Sequence, residues 1–400
     1  MQRRTFLKAG LAATTMLGST SMIRQAQAAE PLSIYGVKSV SGTFASYGKY
    51  ANMGSKLAVS DYGEVLGRPL IYTTIDTEGN AGKAVRKVQE ATQQNGALFF
   101  SGCTLSSSAL AVGKEVDKAG GVFITPAGAD DLTGADCNSS TFRWSVPTYG
   151  AIRETVLPLI KMKPDAKRWY TITPQYVFGE ALLDNAKAVF EEMGVEHVGN
   201  SYHSLHEQEF SGYLTNAMAA QPDVLLLLNF GGQSSNALRQ AVNFGLKRKM
   251  TILLAWSAGL DQFKELGPDL IEDVYLGAQY WHQTDTPMNN AFVKRVREVY
   301  DMNPNYPMAA DYIGTTMLLD AIKLAGTVEG AAVAKTLEGY TYEGPTGTET
   351  VRASDHQVIK DYYLLRGKAA SDMQDPDDLA EVVSSGRTFP AEDSGICKMA

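Results

Sequence analysis

The stretch at residues 99–129, FFSGCTLSSSALAVGKEVDKAGGVFITPAGA, decides the fold. An apolar strand over 97–101 runs into the hydroxyl-rich loop Thr104-Leu105-Ser106-Ser107-Ser108, and the periodicity predicts a helix over 109–118. A second apolar strand, 122–125, ends in a loop of small residues, Pro126-Ala127-Gly128-Ala129. In a parallel sheet both loops leave the carboxyl ends of neighbouring strands, where open α/β folds bind ligands. Ser106, Ser107 and Ser108 would open the helix with hydroxyls and unpaired N–H groups facing outward, a cradle for a small anion such as a carboxylate. An ordinary serine N-cap is the alternative; the second loop beside the first favours the cradle.

Working outward, strands at 32–38 and 70–75 alternate with helical patterns up to about 61 and over 80–94. Beyond residue 150 the alternation restarts. Helices are expected at 152–162, 181–192, 210–220 and 234–244, with strands at 168–173, 195–202, 223–228, 250–255 and 274–280. Helices near 287–301, 308–325 and 330–338 and one tail strand, 362–366, complete the chain. Regular alternation is the mark of right-handed βαβ units and a parallel sheet. The pattern gives two similar α/β halves with a seam at Ser145-Val146-Pro147-Thr148.

The first residues read as an address. Arg3-Arg4-Thr5-Phe6-Leu7-Lys8, a mild apolar run over 9–17 and Ala26-Gln27-Ala28 form a twin-arginine export signal (1–28) cleaved after Ala28, the run being too short to span a bilayer. Its removal takes away Arg3, Arg4, Lys8 and Arg24 and no acid, so the net charge moves from −8 to −12. An acidic chain without a basic cluster argues against nucleic acid and anionic membranes. Three cysteines in an exported protein suggest one disulfide and one thiol. Cys103 reads as a buried small hydrophobe. A Cys137–Cys397 bridge would pin the C-terminus, Cys103–Cys137 is the other possibility, and the sequence does not decide between them.

Several landmarks then fall in order: Ser41-Gly42-Thr43 with Tyr47-Gly48, Ser106-Ser107-Ser108, Ile124-Thr125-Pro126-Ala127, Phe142-Arg143, Phe178-Gly179-Glu180 and Leu238-Arg239-Gln240-Ala241. Over essentially the whole mature chain the sequence resembles the type I periplasmic solute-binding proteins of ABC importers, the leucine/isoleucine/valine-binding family. The resemblance implies two Rossmann-like lobes joined by three crossovers, with a ligand cleft between them. Lobe one is placed at 31–147 plus 278–355, lobe two at 148–277 plus 356–400. It further implies a periplasmic, non-enzymatic protein without cofactor that delivers its ligand to a permease and ATPase; a monomer is expected.

Carried over from the family's amino-acid binders, Ser106 with its neighbour Ser107 and the backbone of Ala127 and Ala129 would hold a carboxylate. Tyr47 would cover the ligand, and Phe178 and Phe230 would supply aromatic walls. Such binders neutralise the ligand ammonium with acids where this chain has Thr148 and, after the 250–255 strand, Trp256 and Ser257. A buried ammonium without an anionic partner costs several kcal/mol, in order of magnitude. The expected ligand is therefore a carboxylate without an α-ammonium: aromatic acids first, short keto or hydroxy acids second. A branched-chain amino acid, an amide or urea, and a sensor of the same fold are the alternatives. Thr43, Tyr149, Tyr176, Trp281 and Asp311 are further candidates for the cleft.

Two other chemistries are weaker. Ala255-Trp256-Ser257-Ala258-Gly259 imitates a hydrolase nucleophile elbow, but its first position is not Gly, and of the downstream histidines, His282 and His356, only His356 has a nearby acid, the adjacent Asp355. His203, His206, Glu207 and Glu209 lack the helical spacing of zinc enzymes, and Asp130-Asp131 and Asp375-Pro376-Asp377-Asp378 lack the pattern of a calcium loop.

Overall fold

The computed structural model describes residues 30–42 and 44–399, so the export signal and Thr43 lie outside the described residues. The chain begins with β1 (Leu32–Lys38), α1 (Ala45–Tyr62), β2 (Glu64–Val65), β3 (Arg68–Asp76), α2 (Ala81–Asn95), β4 (Phe99–Gly102), α3 (Ser106–Lys118), β5 (Val122–Thr125) and β6 (Thr141–Arg143). Local chemistry sets these bounds. In α2, Ala84, Val88 and Ala91 fall on one face and are buried, the Asn80 side chain accepts from the Lys83 amide, and Gly96 ends the helix in the left-handed region. The serines of α3 are not caps: Leu105 holds that position, without a side-chain bond, and the helix starts at Ser106 itself.

The strands form a six-stranded sheet ordered β2-β3-β1-β4-β5-β6. All pairs except β2–β3 are parallel. Because β3 and β4 flank β1 on opposite sides, the loops after β1 and β4 diverge at the sheet's switch point, which opens a crevice at the strand ends.

The second lobe repeats the scheme. It contains α4 (Thr148–Met162), β7 (Arg168–Pro174), α5 (Val177–Met193), β8 (Glu196–His203), α6 (Ser211–Ala220), β9 (Val224–Leu227), α7 (Gly232–Asn243), β10 (Thr251–Leu254), α8 (Leu260–Leu266), α9 (Pro268–Ile271) and β11 (Tyr275–Ala278). The chain then returns to the first lobe as α10 (Pro287–Tyr300), α11 (Tyr306–Ala325) and α12 (Gly330–Leu337). Helix α11 lies against α1 so closely that a Cβ at Gly54 would meet the Met308 carbonyl oxygen at 2.2 Å. A small antiparallel sheet follows, β12 (Thr341–Gly344), β13 (Gly347–Val351) and β14 (Val358–Ile359), before β15 (Tyr362–Gly367) and β16 (Ala380–Gly386).

The last two strands complete a seven-stranded sheet, β16-β15-β11-β10-β9-β7-β8, with β15 and β16 antiparallel to their neighbours. Here β7 lies between β8 and β9, the second switch point. Up to β16 the chain thus passes between the lobes three times: after β6, after β11 and after β14. The short sheet β12–β14 and the edge strand β16 were not anticipated; both alternate partly exposed residues too weakly to show as apolar runs. Past β16 the tail runs back to the first lobe, where Cys397 is bonded to Cys137. Among the described residues no helix is long and apolar enough to cross a membrane.

Candidate functional site

The strand ends of the two sheets face each other across a cleft. From the first lobe, Tyr47 follows β1, Thr104 follows β4, Pro126 and Gly128 follow β5, and Tyr306 opens α11. From the second, Tyr176 and Phe178 follow β7, Phe230 follows β9 and Trp256 follows β10. Together they close on a narrow space of about 20 Å³. None of the nine side chains carries a charge at neutral pH. Six of the nine are aromatic, and they touch in sequence: Tyr176–Phe178 at 5.9 Å between ring centroids, Phe178–Trp256 at 5.2 Å, Trp256–Tyr306 at 6.4 Å, Tyr306–Tyr47 at 5.8 Å and Tyr47–Phe230 at 5.1 Å. Burial holds the Tyr47, Tyr176 and Tyr306 hydroxyls above their ordinary pKa, so all three stay protonated.

The two loops of the first lobe are tied together from within. Ser106 Oγ accepts from the Ala129 amide at 3.2 Å, and Thr125 Oγ1 accepts from the Ala127 amide at 3.2 Å. Ser106, Ala127 and Ala129 are fully buried one layer behind the cleft wall, and Ser107 is half-buried in the first turn of α3. The Gly128 amide, on the wall itself, has no hydrogen-bond partner among the described residues. The first-turn amides of α3 lack intrahelical acceptors, as at any helix start. The cradle is therefore a braced loop pair with a few donors left over.

Arg143 braces it from behind. This fully buried guanidinium donates through Nε to Gln357 Oε1 at 2.7 Å, to the carbonyls of Gly128 (3.3 Å) and Ala129, and to Thr133 Oγ1. Burial pulls its pKa down to about 10. Sequence reasoning used Arg143 only as a landmark and missed Tyr306; the Asn305-Tyr306-Pro307 helix start was the available signal. The Tyr306 hydroxyl donates to the Pro126 carbonyl at 3.0 Å and lies 2.9 Å from Ser145 Oγ, fixing one cleft wall.

Other expected residues lie outside the lining. The Thr148 amide donates to the Gly128 carbonyl at 3.0 Å, and its hydroxyl is 3.4 Å from Asn185 Nδ2. Ser257 Oγ donates to the Gly277 carbonyl at 2.8 Å, which ties it to the sheet rather than the cleft. Trp281 packs on Phe263 at 5.6 Å within the second lobe's core, and the Tyr149 ring carries the Arg153 guanidinium at 5.0 Å. Asp311 is spent in a fully buried ion pair with Lys38. Tyr176, by contrast, is on the wall.

Several acids bridge the lobes on the flanks, among them Asp377 of the second lobe, which accepts from Asn303 Nδ2 of the first at 2.8 Å. Asp130 accepts from the Tyr149 amide at 3.0 Å and from Asn185 Nδ2 at 2.7 Å. Asp261 accepts from Asn305 Nδ2, and burial raises its carboxyl above the usual range. The rival chemistries lack their geometry. The His356 ring stacks on Phe142 at 3.9 Å, with Nδ1 against the Thr141 carbonyl, so it serves packing. Among the described residues no group of three or more His, Cys, Asp or Glu could hold a metal ion. The thiol left by the Cys137–Cys397 bridge, Cys103, is buried and pushed up to about 12, the state of an inert core residue.

Comparison with known proteins agrees with this architecture. The profile of a family described as "Periplasmic binding protein" matches residues 31–372. An amino acid ABC transporter substrate-binding protein from Pseudomonas fluorescens is 70% identical, with a TM-score of 0.90 over 93% of this chain and 100% of that one. A periplasmic binding protein from Burkholderia mallei is 26% identical, with a TM-score of 0.84 over 89% and 95%. The solute-binding protein of an R. palustris ABC transporter, solved with benzoate, shares the fold at 22% identity, with a TM-score of 0.82 over 92% and 99%. A comparison with curated protein sequences finds no match. These are substrate-binding proteins rather than enzymes, and their place is the periplasm. With two parallel-sheet lobes closing strand end to strand end, the chain belongs to the type I periplasmic binding proteins of ABC transporters.

Proposed function

We propose that this protein captures a small carboxylate without a primary ammonium and delivers it to its permease and ATPase, after export through its twin-arginine signal, as a monomer. The carboxylate would meet the Gly128 amide, the first turn of α3 and the Thr104 hydroxyl, with Ser106, Ala127 and Ala129 holding that surface in place. The lobes (31–147 plus 278–355, and 148–277 plus 356–400) would then rotate to bring Phe178, Phe230 and Trp256 onto the ligand body. The observation that carries the reading is the lining: six aromatic rings and no charged side chain. An α-ammonium enclosed there would have no anionic partner. Aromatic acids fit first and keto or hydroxy acids second.

A second reading, an amino-acid ligand, is favoured by the description of the 70% identical protein from Pseudomonas fluorescens. Thermal-shift and calorimetric titration with benzoates, short keto acids, leucine-like amino acids and small amides separates the two, because a ligand that binds the folded state alone raises its melting temperature. Shifts with organic acids and none with amino acids are expected; the reverse pattern overturns the proposal.

A further inference from the structure

The cage geometry points beyond flat aromatic ligands. Aromatic rings pack offset-stacked or edge-to-face. Most ring pairs around the cleft are steep: Phe178 and Trp256 meet at 79°, Tyr47 and Phe230 at 74°, Tyr47 and Tyr306 at 76°, and Trp256 and Tyr306 at 59°, with Tyr176 and Phe178 at 40°. Mutually steep walls make a box, which suits a compact, roughly spherical group. Such a group, when cationic and unable to donate hydrogen bonds, needs no carboxylate partner, because the ring faces supply the negative potential. A fully methylated ammonium is that group. The absence of a lining acid therefore disfavours a primary ammonium, whose N–H groups would meet no anionic acceptor, but not a quaternary one. The protonated tyrosines keep their hydroxyls neutral, so the box attracts through its ring faces alone.

We propose that the cleft takes carboxylates bearing a quaternary ammonium, betaine-type solutes, with the carboxylate on the first-lobe cradle and the trimethylammonium head inside the aromatic box. The proposal rests on the carboxylate reading given above. Tyr306 and Tyr47 present the first-lobe walls of the box, and Phe178, Phe230 and Trp256 close it from the second lobe.

The test is calorimetric titration of the mature chain with trimethylglycine, with its carbon isostere 3,3-dimethylbutanoate, and with benzoate. The isostere has the same shape and carboxylate but no positive charge. Trimethylglycine is expected to bind about tenfold tighter than the isostere, the scale of a desolvated cation–π contact. Trp256→Leu should move that ratio toward one, by costing trimethylglycine several-fold more affinity than it costs the isostere. Tyr176→Leu, at the half-buried rim, provides the same test should the first variant fold poorly. Equal affinities for the two probes, or benzoate binding without trimethylglycine binding, overturn the inference and leave the carboxylate reading standing. If none of the three carboxylates binds, the underlying reading falls with it.

Discussion

Gly128 is where the closed cleft is tightest. A Cβ built there would lie 2.7 Å from Phe178 Cε2, 2.7 Å from Trp256 Cη2 and 2.9 Å from Trp256 Cζ3. The glycine belongs to the first lobe and both rings to the second, so the collision exists only when the lobes are together. Its φ is not in the left-handed region, so alanine strains nothing in the open form. Neither ring yields easily, since Phe178 and Trp256 are 5% and 2% exposed. Inserting a methyl into such packing costs about 1–3 kcal/mol. If binding requires closure, apparent affinity falls by the same factor as the closed population, roughly 5- to 150-fold. Gly128→Ala should thus weaken the ligand by that amount in calorimetric titration, leave the melting temperature of the ligand-free protein little changed, and raise the ligand-free radius of gyration in solution scattering. Wild-type affinity in the variant would refute the reasoning, because it would mean that the two rings leave Gly128 in the bound state.

Other perturbations probe the supports. Asp311→Ala should lower unfolding stability by about 3–5 kcal/mol in urea titration, since it leaves the Lys38 ammonium buried without its partner. Reduction of Cys137–Cys397, whose cysteines lie 260 residues apart, should lower it by about 2–5 kcal/mol, read as a shift of the same curve on adding reductant. Ser106→Ala should weaken carboxylate binding by about 1–3 kcal/mol by releasing the Ala129 amide from its acceptor; unchanged affinity removes Ser106 from the site. His282 is held down to about 4 by burial, so between pH 6.5 and 4 the unfolded chain binds a proton that the folded chain does not. Stability should therefore fall as pH drops through that window, by up to about 3 kcal/mol, and His282→Gln should flatten the profile.

The two-lobed fold was legible because its strands are apolar runs at regular spacing, and β4, α3 and β5 surfaced as soon as the serine loop was read. Four of the six box aromatics, Tyr47, Phe178, Phe230 and Trp256, come from the family resemblance, carried over position by position, and Tyr176 is a further candidate. Tyr306 is not, because it reaches the cleft from a helix that starts 163 residues after β6 ends (306 − 143). Sequence order hides such contacts. For the same reason Ser257, adjacent to Trp256, was placed in the cleft: successive residues leaving a strand diverge, and its hydroxyl turns back to Gly277. Asp311 looked available for a ligand only because Lys38, 273 positions away, could not be seen beside it.

The electrostatics of closure follow from where the charges are kept. Among the described residues no ion pair spans the cleft; acids that bridge the lobes, such as Asp130, Asp261 and Asp377, meet amides of asparagine and backbone instead. A hydrogen bond to a charged group is worth about 1.5–3 kcal/mol, and at Asp261 part of that is offset by the burial that raises its carboxyl pKa. Such latches favour the closed form without locking it. A buried cross-lobe salt bridge would do the opposite, holding the empty protein shut or, with one partner displaced, leaving a charge stranded. With the cage neutral and the latches weak, the carboxylate of the proposed ligand would be the charge that decides the balance, because it would pair with the donors left open at Gly128 and the head of α3. Closure then reports occupancy, which is what a permease needs to read.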